Sequence, residues 1–511
     1  MNIIHLIFRS FQDILRNSML CILFLILLML QSNYVQSQLQ PIEHYLAQLP
    51  KGSDLSLLIQ SVDEQPKTLI QYQADHFKLP ASTQKIITAL AAELQLGSEY
   101  QFKTKMLTNG SINKKTLYGD LVIQMSGDPS FSRLNLSDML AMLKLRGIEK
   151  IYGDIIINTS IFDSHDKASG WSWNNLTACY NTSPTAVIVD NNCFYAGILP
   201  ATKIGEQATT SVASIYPITI TSNIKTIEKG STAIEDKYCE LDVITSENNH
   251  YHLTGCIEQS STNPKNNKKL YLRFAVQNGV DYFANILKSQ LQDKQIKLTG
   301  KIVETKSAIE QNLTVLAINQ SEPLSVLLTN MLKNSDNLIA DILFRTLGAH
   351  YYSTETTPIA GTWRNGSDAV KAILQEKAGI DLSDAVIADG SGLSRVNLIN
   401  TEKMMQILQY IAANNEQLHM IEMLPISGVD GTLKFRKSLA GNALKNYVHA
   451  KTGYLEGNHN LAGFIQIAEN HYLAFVQFVS GYHYVPEDET EKANTPLTQF
   501  EEALYHDLIS K

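Results

Sequence analysis

The stretch "LPASTQKIITALAA", Leu79 to Ala92, sets a serine and a lysine three residues apart and then turns almost wholly apolar. At about 100° per residue, Gln84, Thr88, Ala91 and Gln95 cluster on one side of a helix. Ser82, Lys85, Ala89, Ala92 and Leu96 lie on another side, among small or apolar neighbours. Lys85 is therefore expected on the packed face of a helix that runs to Leu96 and stops at Gly97. Burying an ammonium is unfavourable, and proteins respond by pairing it or lowering its pKa. A lysine that is neutral near pH 7 is a general base, and Ser82 lies one helical turn away.

The spacing alone decides little. Ser-x-x-Lys recurs at Ser111, Ser164 and Ser222, all in polar strand-and-loop texture without an apolar helix to seat the lysine. Ser82 behind Pro80 also fits a helix cap, and Lys85 a side chain reaching to solvent. A working serine–lysine pair needs a proton shuttle and donors for an oxyanion and a substrate carboxylate. "KNSDNLIAD" places Ser335, Asp336 and Asn337 at the junction of two helical patterns. "VHAKTGYLEG" places Lys451, Thr452 and Gly453 on an alternating strand. A glycine inside a strand often marks close approach by a ligand or another backbone. A cation, a hydroxyl and bare backbone together suit a peptide carboxylate laid along a strand edge.

The rest of the chain bounds the class. Its 511 residues exceed one compact core. With 44% hydrophobic and 18% charged residues it is an ordinary globular sequence, and its formal charge of −8 excludes a nucleic-acid binder. Arg9 and Arg16 precede the apolar run Met19–Leu30, too short to span a bilayer but suited to a signal peptide. Residues 1–37 are thus expected to be removed, with the mature chain starting near Gln38; an uncleaved anchor is the alternative. Export leaves Cys179, Cys193, Cys239 and Cys256 in an oxidising compartment. Three pairings are possible, and Cys179–Cys193 with Cys239–Cys256 closes the shortest loops. A four-cysteine metal site lacks the usual CxxC spacing, HExxH and GxSxG are absent, and no metal or cofactor is expected.

Residues 101–312 carry alternating strand patterns and an echo, "LYGDLVIQMSGD" from Leu117 and "IYGDIIINTSIFD" from Ile151. Helices return after Pro323, including one expected to start at Ser367 and end at Gly379. A strand through Lys451, a hairpin and a final helix close the chain. The outline is an α/β unit, residues 38–100 and 313–511, split by a β-rich insertion at 101–312 that divides into two subdomains.

Ser-x-x-Lys, Ser-x-Asn and Lys-Thr-Gly in this order are the motif set of penicillin-binding proteins and β-lactamases. The chain resembles the class C low-molecular-mass penicillin-binding proteins, the penicillin-binding protein 4 type D-alanyl-D-alanine carboxypeptidase/endopeptidases of peptidase family S13. "LVIQMSGDPSF", "AVIVDNNCF", "YCELDV", "GTWRNGSDAV", "IADGSGLSR", "MLPISGVDGTL" and "NLAGFIQIA" carry the likeness over the mature chain. The resemblance implies a β-lactamase/transpeptidase-like domain, an antiparallel sheet flanked by helices, in the periplasm, acting on peptidoglycan stems and trapped by β-lactams. It implies Ser82 as nucleophile, Lys85 as base, Ser335 as proton relay and Asn337 as substrate and lysine partner. Lys451 would keep Lys85 neutral and, with Thr452, bind a carboxylate, while the Ser82 and Tyr454 N–H groups would form the oxyanion hole. Asp190 would meet the amine of diaminopimelate and Arg395 a stem carboxylate. Glu456 stands where related members often carry glutamine and would favour an amine-bearing substrate. Other wall enzymes are candidate partners, and membrane contact is expected only through an uncleaved leader. A transpeptidase or β-lactamase on the same fold, or a non-catalytic wall-binding protein, are the alternatives.

Overall fold

The computed structural model describes residues 40–509, apart from 247, 262–267, 309–311, 442, 470, 489–490 and 492–493. The expected signal segment, residues 1–37, lies outside them. Among the described residues no helix is long and apolar enough to cross a membrane.

Strands from opposite ends of the chain meet in one five-stranded sheet. Across it run Thr68–Tyr72, Asp54–Ser61, His471–Ser480, Asn458–Ala468 and Val448–Leu455, every neighbour antiparallel. Successive side chains point to opposite faces, and both faces are covered. Leu58, Ala462, Ala474, Val476 and Phe478 belong to the core shared with the helices. Leu57, Ile59, Phe475 and Val479 pack in a second core with Tyr45 and with Phe500, Leu504 and Tyr505 of the helix Pro496–Ile509. With neither face wet, the strand sequences read as nearly continuous apolar runs. This is the antiparallel sheet flanked by helices that the resemblance implies.

The helix Gln84–Leu96 is buried on all sides, not on Lys85's side alone: every residue from Gln84 to Glu93 is buried. Its polar side faces a loop rather than water, with Gln84 and Thr88 donating to the carbonyls of Asp389 and Gly390 at 3.5 and 2.7 Å. Ser367 does not start its helix. Trp363–Ala378 begins a turn earlier, where Thr362 and Asn365 cap each other reciprocally, and it ends as expected at Gly379.

The Tyr-Gly-Asp echo marks corners where the chain passes between two sheets. Thr116–Tyr118 and Lys150–Tyr152 lie in a four-stranded sheet, and their continuations Leu121–Gln124 and Ile155–Asn158 in a five-stranded one. Lys297–Leu298 and Ile302–Thr305 repeat the move without the motif, through Gly300. The three corners stack. A Cβ on Gly153 would sit 2.4 Å from the Gly119 carbonyl oxygen, and one on Gly300 2.1 Å from that of Gly153. Asp120 accepts from the Asp154 N–H and Asp154 from the Lys301 N–H, both at 2.7 Å. Glycine permits the approach, and aspartate satisfies the next corner's backbone.

Cys179 is joined to Cys193 and Cys239 to Cys256, with Cα separations of 5.6 and 5.4 Å. Closing loops of this size stabilises a fold by about 3 kcal/mol each in the chain-entropy account. The first bridge fastens the turn Cys179–Asn181 to the strand Cys193–Leu199, and that turn touches the site.

Candidate active site

Three segments converge on Ser82. It lies in a short 3-10 turn, Ala81–Thr83, that feeds the helix Gln84–Leu96, and Ala81 before it holds φ +47°. A non-glycine residue in that region carries strain, of order 1–3 kcal/mol, and persists only when its surroundings impose it. Here the clamp is visible. Asn460 donates to the carbonyls of Leu79 and Pro80 at 2.7 and 2.9 Å. Gly392 and Gly453 allow the closest approaches: a Cβ on either would meet the carbonyl oxygen of Ala81 or Pro80, at 1.8 and 2.7 Å respectively. The glycine of Lys-Thr-Gly thus makes room for the turn that carries the serine.

Lys85 is fully buried, and its Nζ has three partners: Ser82 Oγ at 2.9 Å, Asn337 Oδ1 at 2.7 Å and the Ser391 carbonyl at 2.7 Å. The Asn337 amide is oriented by its own donation to the Tyr180 carbonyl at 2.9 Å. As an ammonium, Lys85 donates to all three. As a neutral amine it keeps two N–H groups for the two obligate acceptors and turns its lone pair to the Ser82 hydroxyl. Burial pushes its pKa down to about 8, against the pull of Asp341, Asp389 and Asp336.

Lys451 is also fully buried. Its Nζ donates to Ser335 Oγ and to the Thr452 carbonyl, each at 2.9 Å, and the ammonium formed when it gains a proton has a third N–H for a ligand. Ser335 ends the helix Leu324–Asn334 with φ +58°, and Asp336 caps the next helix by accepting from the Ile339 N–H. This left-handed residue between two helices turns the chain so that Ser335 reaches Lys451 and Asn337 reaches Lys85. Burial, reinforced by repulsion from Lys85, holds Lys451 well below the usual lysine range.

Over residues 38–504 the sequence matches the D-Ala-D-Ala carboxypeptidase 3 (S13) family. The chain belongs to that family. As a member it is a D-alanyl-D-alanine carboxypeptidase with the penicillin-binding fold. The D-alanyl-D-alanine carboxypeptidase DacB of Haemophilus influenzae is 41% identical over 460 residues, 90% of this chain and 92% of its own. The D-alanyl-D-alanine carboxypeptidase of an Actinomadura species is 26% identical over 399 residues, 76% of this chain and 70% of its own. The crystal structure of penicillin binding protein 4 from H. influenzae superposes with a TM-score of 0.84 at 40% identity, covering 93% of this chain and all of that one. The same protein complexed with a β-lactam gives a TM-score of 0.80 at 38% identity over 93% of this chain.

Within the family's span lies a carboxylate loop to which none of the three motifs points. Asp341 lies four residues after Asn337, hence on the same helix face. One of its oxygens accepts from the Gly390 and Ser391 N–H groups, both at 2.9 Å, and its other oxygen has no partner. Burial and the neighbouring Asp389 push the Asp341 carboxyl well above the usual range. Asp389 is tied by Trp171 Nε1 at 2.9 Å and by the N–H groups of Gly392 and Ser394 at 2.9 and 2.7 Å. Together they hold the Gly390–Gly392 turn whose Ser391 carbonyl meets Lys85. The Asp-Gly-Ser-Gly string in "IADGSGLSR" was the available signal.

The outer residues fall in two groups. Arg395 sits at the rim, where Ser172 accepts from its Nε at 3.3 Å and Glu456 faces it at 3.9 Å. Tyr454 is exposed at the end of the edge strand, one residue after Gly453. Asp190 is not brought to this set. Its carboxylate forms an ion pair with Arg133 Nε and accepts from the Arg133 N–H at 3.1 Å, beside Tyr282 and Tyr216. Gly170, Ser172 and Tyr180 reach the site instead, in contact with Arg395 and Asn337.

Proposed function

We propose that this chain is a periplasmic, penicillin-sensitive serine D-Ala-D-Ala carboxypeptidase and D-Ala–meso-diaminopimelate endopeptidase, working through an acyl-enzyme on Ser82. Neutral Lys85 takes the Ser82 proton as Oγ bonds to the carbonyl carbon of the penultimate D-Ala. The scissile C–N bond then breaks, and the leaving amine collects the proton that Lys85 took, relayed through Ser335, which leaves Lys85 neutral again. Water next attacks the ester and gives its proton to Lys85, which passes it to Ser82 Oγ as the acyl C–O bond breaks, so that the Ser82 hydroxyl and the neutral amine are both restored. The observation that carries this reading is the buried Lys85 Nζ 2.9 Å from Ser82 Oγ, with two obligate acceptors engaging its other side.

The remaining roles follow from chemistry. Lys451 and Thr452 bind the α-carboxylate of the leaving residue, and the Ser82 and Tyr454 N–H groups face the developing oxyanion. Both target bonds share a leaving unit, a D-configured amino acid bearing an α-carboxylate, so one subsite serves both activities. Arg395 meets a second carboxylate of the stem, and Glu456 beside it tempers that attraction. A β-lactam acylates Ser82 by the same step and stays attached. The leader, the disulfides and the wall substrate support a periplasmic location, with peptidoglycan as the natural partner.

Purified protein should release D-Ala from monomeric muropeptides and convert cross-linked dimers to monomers. Ser82→Ala should abolish both activities and labelling by a fluorescent penicillin. Persistent labelling of Ser82→Ala contradicts the reading. New cross-links, or rapid turnover of the penicillin, would point instead to a transpeptidase or a β-lactamase.

A further inference from the structure

The segment Pro425–Leu433 lies beside the Lys451 strand and has no part in the mechanism above. It is fixed from behind. Lys333, two residues before Ser335, bridges Asp430 at 2.7 Å and donates to the Leu424 carbonyl at 2.9 Å. The other Asp430 oxygen accepts from the Ile426 N–H at 2.9 Å. Gly431 holds φ +54°, and a Cβ there would stand 2.7 Å from the Lys333 carbonyl oxygen, so the turn lies flat on the end of the helix Leu324–Asn334. Leu433 is fully buried beneath it. Ser427 joins the segment to the strand, donating its N–H to the Val448 carbonyl at 2.9 Å and accepting the Val448 N–H on its hydroxyl at 3.1 Å.

This scaffold leaves Thr432 facing solvent, with its Oγ1 2.9 Å from Oγ1 of Thr452. The direction of that bond matters. In the ligand-free site the Thr452 hydroxyl donates to Thr432, so the Thr432 proton is not used in the contact, and the Thr452 hydroxyl rotates from Thr432 to the carboxylate when one arrives. A carboxylate approaching the open N–H of Lys451 meets two adjacent hydroxyls, and Thr432 holds the proton ready to donate. Hydroxyls paired beside a buried lysine that gains its proton as the carboxylate arrives suit a carboxylate's two oxygens.

We propose that Thr432 is a further substrate-binding residue, donating with Lys451 and Thr452 to the α-carboxylate of the D-amino acid that leaves. The inference rests on the reading of the site given above and adds a third side chain to its carboxylate subsite.

The test uses an N-acylated tripeptide ending in D-Ala-D-Ala and its C-terminal amide. Thr432→Val, which keeps the shape and removes the hydroxyl, should raise KM for the acid about tenfold, the size of one hydrogen bond to a charged group. Its kcat and melting temperature should stay close to wild type, and Thr432→Ser should recover the lost affinity. On the amide, Thr432→Val should cost less than about threefold, because the charge it recognises is gone. An unchanged KM on the acid, or an equal loss on acid and amide, overturns the inference. A wild-type protein that leaves the acid peptide intact fails earlier and overturns the reading of the site as well.

Discussion

Lys85 and Lys451 are both fully buried and each donates to a serine hydroxyl at 2.9 Å, yet the two sides of the site treat their ammonium groups differently. On the helix side, Asp341, Asp389 and Asp336 pull against burial and leave the Lys85 pKa at about 8. On the sheet side, burial acts on Lys451 together with repulsion from Lys85, and no carboxylate opposes them. The helix side therefore carries its own counter-charge and holds a base poised near working pH, as general-base catalysis favours. The sheet side lacks an anion that a substrate carboxylate can supply.

The largest effect that tests this contrast is at Lys85. Lys85→Met should slow acylation by penicillin roughly 10³-fold, within the range for loss of a general base. It should fold, since an apolar chain of similar length replaces a buried amine. Acylation at the wild-type rate, followed by stopped-flow fluorescence, would break the distinction between the two lysines. Next comes Lys451. Binding of a D-Ala-D-Ala peptide to Ser82→Ala should take up protons from solution near neutral pH, because the arriving carboxylate raises the Lys451 pKa. Calorimetry in buffers of different ionisation enthalpy reads this directly, and proton-neutral binding would mean that Lys451 is already charged. The smallest effect lies at the rim. Glu456 is 94% exposed and 3.9 Å from Arg395, so the pair is well screened. Glu456→Gln should leave stability unchanged and lower KM about twofold for stems that present a carboxylate to Arg395, in line with a weak exposed pair; a rise in KM would reverse the role assigned to Glu456.

What the sequence made legible follows the range of each interaction. Helical phase placed Lys85 toward Ser82, and the junction at Ser335–Asn337 and the strand at Lys451 were recognisable because each motif is local. The structure joins these five residues by three hydrogen bonds, from Lys85 to Ser82 and Asn337 and from Lys451 to Ser335. The sheet was readable from period-two patterns at both chain ends, although its near-continuous apolar runs come from burial on both faces. Asp341, Asp389 and the Ser391 carbonyl stayed hidden, because their link to Lys85 joins residues 306 apart. Asp190 shows the converse: a carboxylate in a family-like segment carries no mark of the arginine that holds it, 57 positions away. Ser367 misled because serine before an apolar run is a common cap, whereas the reciprocal Thr362–Asn365 pair needs the backbone to be seen.

Catalysis at this site depends most on Lys85 acting as a buried, neutral base with its pKa tuned by the Asp341 side of the site. The pH dependence of the second-order rate of penicillin acylation measures it. For the wild-type protein the rate should rise with pH through a midpoint of about 8, as Lys85 loses its proton. Asp341 raises that pKa, and asparagine keeps the oxygen that accepts from Gly390 and Ser391. Asp341→Asn should therefore move the midpoint to lower pH with the loop intact. A rate independent of pH across this range, or a midpoint that Asp341→Asn shifts upward, would contradict the assignment of Lys85 as the base.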